Sequence, residues 1–275
     1  MRNNSSLAVL ASVAAISIAG CVVTPYDTQP VGADSQPVYM TEEQVAEPPP
    51  PLPVYEQPPC PEEGYIWTPG LWRWGPEGYF WVPGTWVPPP QVGMLWTPGY
   101  WAAAGAVYVF HPGYWGPHVG YYGGIDYGGG YTGYGYAGGR WVNNRMQYNT
   151  AISNVSGSNI HNIYREPVVN NIAVREPRGP RVSYVGASGT RAQPTRAETT
   201  FAREPRNVPT PLQMQHHETA RASPLQNAAR NEGRPPVAAT PRPGAFTGTG
   251  VTAAKPVGPA YHPEHPESRE QRQEH

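Results

Sequence analysis

Four times between residues 67 and 115 the chain spells one six-residue phrase: aromatic, any residue, Pro, Gly, any residue, Trp. The copies are Trp67-Thr68-Pro69-Gly70-Leu71-Trp72, Trp81-Val82-Pro83-Gly84-Thr85-Trp86, Trp96-Thr97-Pro98-Gly99-Tyr100-Trp101 and Phe110-His111-Pro112-Gly113-Tyr114-Trp115. Their first aromatics stand at 67, 81, 96 and 110, a spacing of 14, 15 and 14 residues. So regular a period is the mark of one supersecondary unit used repeatedly, because identical units must bury identical positions.

Proline presets φ at the first central position of a turn and glycine accepts a positive φ at the second, so each Pro-Gly reads as a type II turn between two short strands. With a two-residue loop, Trp67 faces Trp72 and Tyr65 faces Trp74. Type II turns twist against a tight hairpin, so a wider loop and a shifted register stay open. Cross-strand partners and residues two apart share a face. Tyr65, Trp67, Trp72, Trp74, Trp81, Trp86, Trp96, Trp101 and Trp115 then form one aromatic face, together with Tyr79, Tyr108 and Phe110, while Ile66, Phe80, Leu95 and Val109 lie on the other. Two apolar faces need cover. The expected fold is mainly β: an antiparallel meander of repeated short hairpins, curled or closed on itself, flanked by disordered segments and one or two short C-terminal helices.

The flanks are of another kind. Pro and Gly number 36 and 31 of 275 residues, a share that favours extended or unfolded chain wherever aromatic side chains do not oppose it. The expected division is a signal peptide at 1–20, a lipid-anchored Pro-rich tether at 21–63 and the aromatic repeats at 64–119. A flexible Gly/Tyr-rich loop follows at 120–139, an irregular β extension at 140–185, and a mostly disordered basic tail at 186–275. Within that tail, Thr210-Pro211-Leu212-Gln213 and Ser223-Pro224-Leu225-Gln226 each place a capping hydroxyl before proline with Gln three residues on, which predicts helices over 211–222 and 224–231. Their apolar faces are thin, so they are marginal unless docked. Charge is split too: residues 21–139 hold 10 acidic side chains against Arg73 alone, and residues 140–275 hold 17 basic against 10 acidic. A basic half of this kind suits an anionic surface, whether lipid, wall polymer or the protein's own acidic half.

At the N-terminus, Arg2 precedes an apolar stretch from Leu7 to Ala19, too short to span a bilayer and ending in small residues, as a secretory signal peptide does. Its end, Ile18-Ala19-Gly20-Cys21, resembles the lipobox of bacterial lipoproteins, which implies cleavage before Cys21 and a diacylglycerol on its thiol. An aspartate after that cysteine tends to retain such lipoproteins on the inner membrane. Val22 stands there instead, which implies the outer membrane. The one other cysteine, Cys60, leaves no intramolecular disulfide to form in the mature chain.

The repeats themselves resemble the WXXGXW (YXWGXW) repeat family of bacterial envelope proteins, with Phe110 departing from the first Trp of the pattern. Gly138-Gly139-Arg140-Trp141 and residues 239–246 are similar to segments that accompany those repeats. The resemblance implies an envelope location and no particular chemistry.

No catalytic constellation competes with the repeats. The eight histidines are scattered; His216-His217 and His262 with His265 have no partner at a metal-ligand spacing, and the expectation there is exposed, solvated histidine. Binding nucleic acid by stacking needs cations among the aromatics, and the repeats offer Arg73 alone. The expectation is a non-enzymatic chain with no catalytic residues, no metal and no cofactor, joined to a membrane through Cys21, with no nucleic-acid partner. Two roles remain: a structural or interaction lipoprotein whose aromatics are core, or a module for peptidoglycan or polysaccharide that stacks sugars on exposed Trp and Tyr.

Overall fold

The computed structural model describes residues 43–157, 159–168, 181–256 and 260–263, all within one unit, Pro37–His275. The expected signal peptide and Cys21 lie outside the described residues. A short strand β1 (Gln44–Val45) precedes the repeats. The first two phrases supply β2 (Ile66–Thr68), β3 (Leu71–Gly75), β4 (Gly78–Val82) and β5 (Gly84–Val87), and the next two supply β6 (Leu95–Thr97), β7 (Tyr100–Ala104), β8 (Val107–His111) and β9 (Tyr114–Gly116). The fold is mainly β, built of short antiparallel pairs, and its sheets are not closed into a barrel.

The pairing differs from the expected one. β3 pairs with β4, placing Trp72 opposite Trp81 and Trp74 opposite Tyr79. β2 pairs with β5, placing Trp67 opposite Trp86. Two phrases therefore make one long hairpin that reverses at Pro76-Glu77, and each Pro-Gly is a corner within an arm. The second unit repeats this, with Trp101 opposite Phe110 and Trp96 opposite Trp115. Trp67 does not face Trp72, nor does Tyr65 face Trp74.

The glycines are needed for space. None of Gly70, Gly84, Gly99 and Gly113 has a positive φ, so these are not type II turns. A Cβ on Gly84 would stand 2.6 Å from the Trp67 ring and 2.9 Å from the Gly70 nitrogen, and one on Gly113 would stand 2.5 Å from the Trp96 ring. At each corner the two arms touch backbone to backbone, with an aromatic ring of the opposite arm lying over the glycine. The corner interrupts the ladder and frees polar backbone groups, which must find partners elsewhere. Gly70 donates its N–H to the Tyr55 hydroxyl at 3.0 Å, Gly84 donates to the Ala238 carbonyl at 3.1 Å, and the Gly99 carbonyl accepts from the Tyr127 hydroxyl at 2.7 Å.

Those partners come from the flanks, which are packed on the core. Residues 43–63 are therefore not a tether: β1 pairs with β8, and Leu52 and Cys60 are buried. A polyproline backbone has no internal hydrogen bonds, so its carbonyls are free to accept. The Pro51 carbonyl accepts from the Trp72 indole at 3.1 Å and the Pro58 carbonyl from the Trp86 indole at 2.8 Å. Burial pushes the Cys60 thiol up to about 11, which keeps it protonated and inert.

The Gly/Tyr-rich segment is also ordered. It holds β10 (Asp126–Gly128) and β11 (Tyr131–Thr132), and Tyr122, Tyr127 and Tyr131 are buried. The Tyr131 hydroxyl is shared between the carbonyls of Trp67 and Trp96, 3.1 and 2.9 Å away, and so ties the two hairpins together. Beyond it, β12 (Gly139–Val142) and β13 (Arg145–Asn149) form a hairpin through Asn143-Asn144, both at positive φ, as a two-residue primed turn demands. β14 (Ile163–Tyr164) pairs parallel to β13, and β15 (Tyr184–Val185) parallel to β7.

The described part of the C-terminal tail is folded as well: α1 (Arg196–Phe201), α2 (Pro211–Ala222), a 3-10 turn at Pro224–Gln226, α3 (Ala228–Asn231) and β16 (Ala239–Thr240), which pairs parallel to β5. Thr210 and Gln213 form the expected capping box. Ser223 caps nothing; Asn227 caps α3 in its place. The expected apolar face of α2 is turned out, with Leu212 exposed, and Gln213, His216, His217 and Ala220 are buried. Five ion pairs join the basic C-terminal half to the acidic N-terminal half: Arg145–Glu63, Arg181–Asp126, Arg230–Glu77, Arg242–Glu62 and Lys255–Glu56. Exposed pairs of this kind contribute about 0–1 kcal/mol each, so they orient the halves more than they hold them.

Candidate functional site

A face that stacks sugars must reach solvent, and the repeat tryptophans do not. Trp67, Trp72, Trp81, Trp86, Trp96, Trp101 and Trp115 are each at most 2 % exposed. Tyr65 and Trp74 are half-buried. Within each hairpin the paired rings meet edge to face or tilted: Trp67–Trp86 at 5.3 Å, Trp72–Trp81 at 5.0 Å, Trp96–Trp115 at 5.3 Å and Trp101–Phe110 at 5.2 Å. Such pairs add about 0.5–1.5 kcal/mol apiece beyond the area they bury.

A buried indole N–H is costly to leave unpaired, and five of the seven donate to groups outside their own hairpin, while that of Trp96 has no partner among the described residues. Besides the bonds to Pro51 and Pro58, Trp81 donates to the Ala238 carbonyl at 3.0 Å, Trp101 to the Trp72 carbonyl at 2.9 Å and Trp115 to Gln213 Oε1 at 2.7 Å. The repeats thus hold both flanks. Arg73, the cation sought for stacking, is fully buried, paired with Glu43 at 2.6 Å and lying 4.2 Å from the Phe110 ring centre.

Two of the histidines expected in solvent, His216 and His217, are core residues, whereas His262 is exposed as expected. His216 Nε2 lies 2.9 Å from the Pro83 carbonyl, a geometry that calls for Nε2–H as donor, and the Gly244 N–H donates to Nδ1 at 3.0 Å. Burial pushes His216 down to about 4. It pushes His217 down to about 3, aided by the charges of Arg73 and Arg221. Both are neutral at physiological pH.

The two hairpins carry matching corners 29 residues apart, and the corners differ. In the first, Thr68, Pro69, Leu71, Val82, Pro83 and Thr85 meet Gln213 and His216 of α2, leaving about 20 Å³. In the second, Thr97, Pro98, Tyr100, His111, Pro112 and Tyr114 face α1 and leave a cleft of about 410 Å³. Leu71, Val82 and Thr85 have become Tyr100, His111 and Tyr114.

Tyr121, Pro194, Glu198, Thr199, Ala202 and Arg206 complete this cleft. Tyr100 stacks on His111 at 4.7 Å and meets Tyr121 edge-on at 5.4 Å, and the Arg206 guanidinium lies over Tyr114 at 4.2 Å. Burial pushes the Tyr100 hydroxyl up to about 12, so it is a neutral donor or acceptor. The helix that borders the cleft is latched beside it, where His118 stacks on Phe201 at 4.3 Å and reaches Glu204 at 2.9 Å. Sequence patterning does not show this cleft, because its signal is a difference between the repeats and periodicity registers only what they share.

The molecule is therefore a repeat scaffold, with two bent aromatic hairpins clamping the segments on either side. A scan against protein-family models matches residues 64–87 and 92–115 to two copies of the WXXGXW repeat. The matched unit is the whole 24-residue hairpin, two phrases long, so the chain carries two structural repeats where the phrase occurs four times. No curated protein and no solved structure matches the chain. Among the described residues no helix is long and apolar enough to cross a membrane.

Proposed function

We propose that the protein is a non-enzymatic lipoprotein of a bacterial envelope, held on the outer membrane through Cys21, with a structural or interaction role built on the WXXGXW scaffold. The observation that supports the scaffold reading is the burial of all seven repeat tryptophans, with indole N–H groups bonded to the proline-rich and C-terminal flanks. Tryptophans engaged in this way organise the protein and leave its outer surface to meet partners. The anchor rests on Ile18-Ala19-Gly20-Cys21 followed by Val22.

Two measurements test the two parts. In the full chain, tryptophan emission should be blue-shifted and shielded from iodide; red-shifted, freely quenched emission would sink the scaffold. Cys21→Ala should move the protein from the membrane fraction to the soluble one, and membrane association that persists after a salt wash would sink the anchor.

A further inference from the structure

The corner cleft of the second hairpin is lined by a buried acidic side chain. Glu198 is 4 % exposed and lines it. Its Oε2 accepts from the backbone N–H and the hydroxyl of Thr195, both at 2.8 Å. Its Oε1 is buried and has no hydrogen-bond partner among the described residues. An unsatisfied buried acceptor costs about 1–3 kcal/mol, more for a charged group, so this oxygen calls for a donor. The first hairpin shows what the same corner looks like when it is occupied, because there α2 inserts Gln213 and His216 and the Pro83 carbonyl accepts from the histidine.

We infer that the cleft bounded by Tyr100, Tyr114, Tyr121, Glu198 and Arg206 binds a neutral, hydroxyl-rich ring, a pyranose unit of an oligosaccharide or polysaccharide. The lining selects this chemistry. A cleft of about 410 Å³ is within the range of small-ligand sites, roughly 300–1,000 Å³. Tyrosine rings supply apolar surface with a polar handle at the rim. Glu198 accepts from hydroxyl donors, and Arg206 donates to hydroxyl and ring oxygens. One charge of each sign lines the cleft, which disfavours a free cation and a free anion alike and leaves a neutral partner that is both donor and acceptor. His111 contributes its ring as a support behind Tyr100. The site does not depend on the membrane anchor or on the scaffold role, so its failure leaves both standing.

The test uses the full chain and five probes in solution: chitotetraose, maltotetraose and xylotetraose as neutral sugars, a galacturonate tetramer as the acidic control and a glucosamine tetramer as the cationic one. Calorimetry should detect at least one neutral sugar, with the charged tetramers binding at least tenfold more weakly. Tyr100→Leu, which installs the residue the first hairpin carries at that corner, should weaken binding tenfold or more. Glu198→Gln keeps a side chain able to cap α1 and should weaken it about fivefold. Glu77→Gln, in a separate surface cleft, should leave it unchanged. Tryptophan emission reports folding of each variant, and Arg206→Gln, on an exposed side chain, stands in should Tyr100→Leu unfold. Binding of no neutral sugar, preference for either charged tetramer, or affinity indifferent to both Glu198→Gln and Arg206→Gln would overturn the assignment.

Discussion

The two hairpins share a backbone plan, four buried ring positions and crowded glycine corners, yet one corner is closed by α2 and the other stands open beneath α1. The shared part is set by rings that must pack against each other, and it varies at one ring only, Phe110 for Trp81. The differing part is set by three positions, 71/100, 82/111 and 85/114, which line the corner. A duplicated unit can keep its ring pairs and change its use when the residues that form the pairs and those that vary at the corner are different residues.

The largest effects should test the shared core. Trp86→Ala and Trp115→Ala, equivalent positions at 0 % exposure, should each cost about 3–5 kcal/mol in urea titration. A difference of more than about 2 kcal/mol between them would break the equivalence of the hairpins.

Acid should separate the corners next. His216 and His217 have folded-state values below the ordinary 6.5 for histidine, so between 6.5 and about 4, or about 3, the unfolded chain holds more protons than the folded one. Stability is complete above pH 6.5 and falls as the pH drops through that window, by on the order of 3 kcal/mol for His216 at the lower end. Hydrogen exchange should show α2 loosening in this range before α1; simultaneous loosening would deny the histidines their role in closing the first corner.

Smaller effects come from the corner glycines. Gly70→Ala and Gly99→Ala should each cost about 1–3 kcal/mol by crowding a ring and the facing backbone. Gly105→Ala has open space and only a positive φ to strain, and should cost about 1 kcal/mol. The smallest concern the caps: Thr210→Ala and Thr195→Ala should each lose about 1 kcal/mol. Only the second should disturb the open cleft, since it releases Glu198, and a thermal shift paired with the sugar titration reads both.

The repeats and their spacing were legible in the sequence because bulky rings recur where identical units bury identical positions. So was α2, whose bounds follow from Thr210, Pro211 and Gln213. Strand pairing was not. Pro-Gly can reverse a chain or bend it, and the choice here turns on whether a ring lies over the glycine, which a residue from the other arm decides. Nor could composition show that the proline-rich and C-terminal flanks are packed. They look too polar to fold alone, yet they offer the acceptors that buried indole N–H groups require.

By itself, then, the sequence determined that one aromatic unit is reused, at what spacing, and where α2 begins and ends. Tertiary structure decided that two phrases make one hairpin, that the flanks dock, and that one corner is closed while its counterpart is open. The first set follows from local period, size and capping chemistry, which act on neighbours in the chain. The second follows from satisfying donors and filling space between residues as far apart as Trp81 and Ala238, and no local pattern encodes such partners.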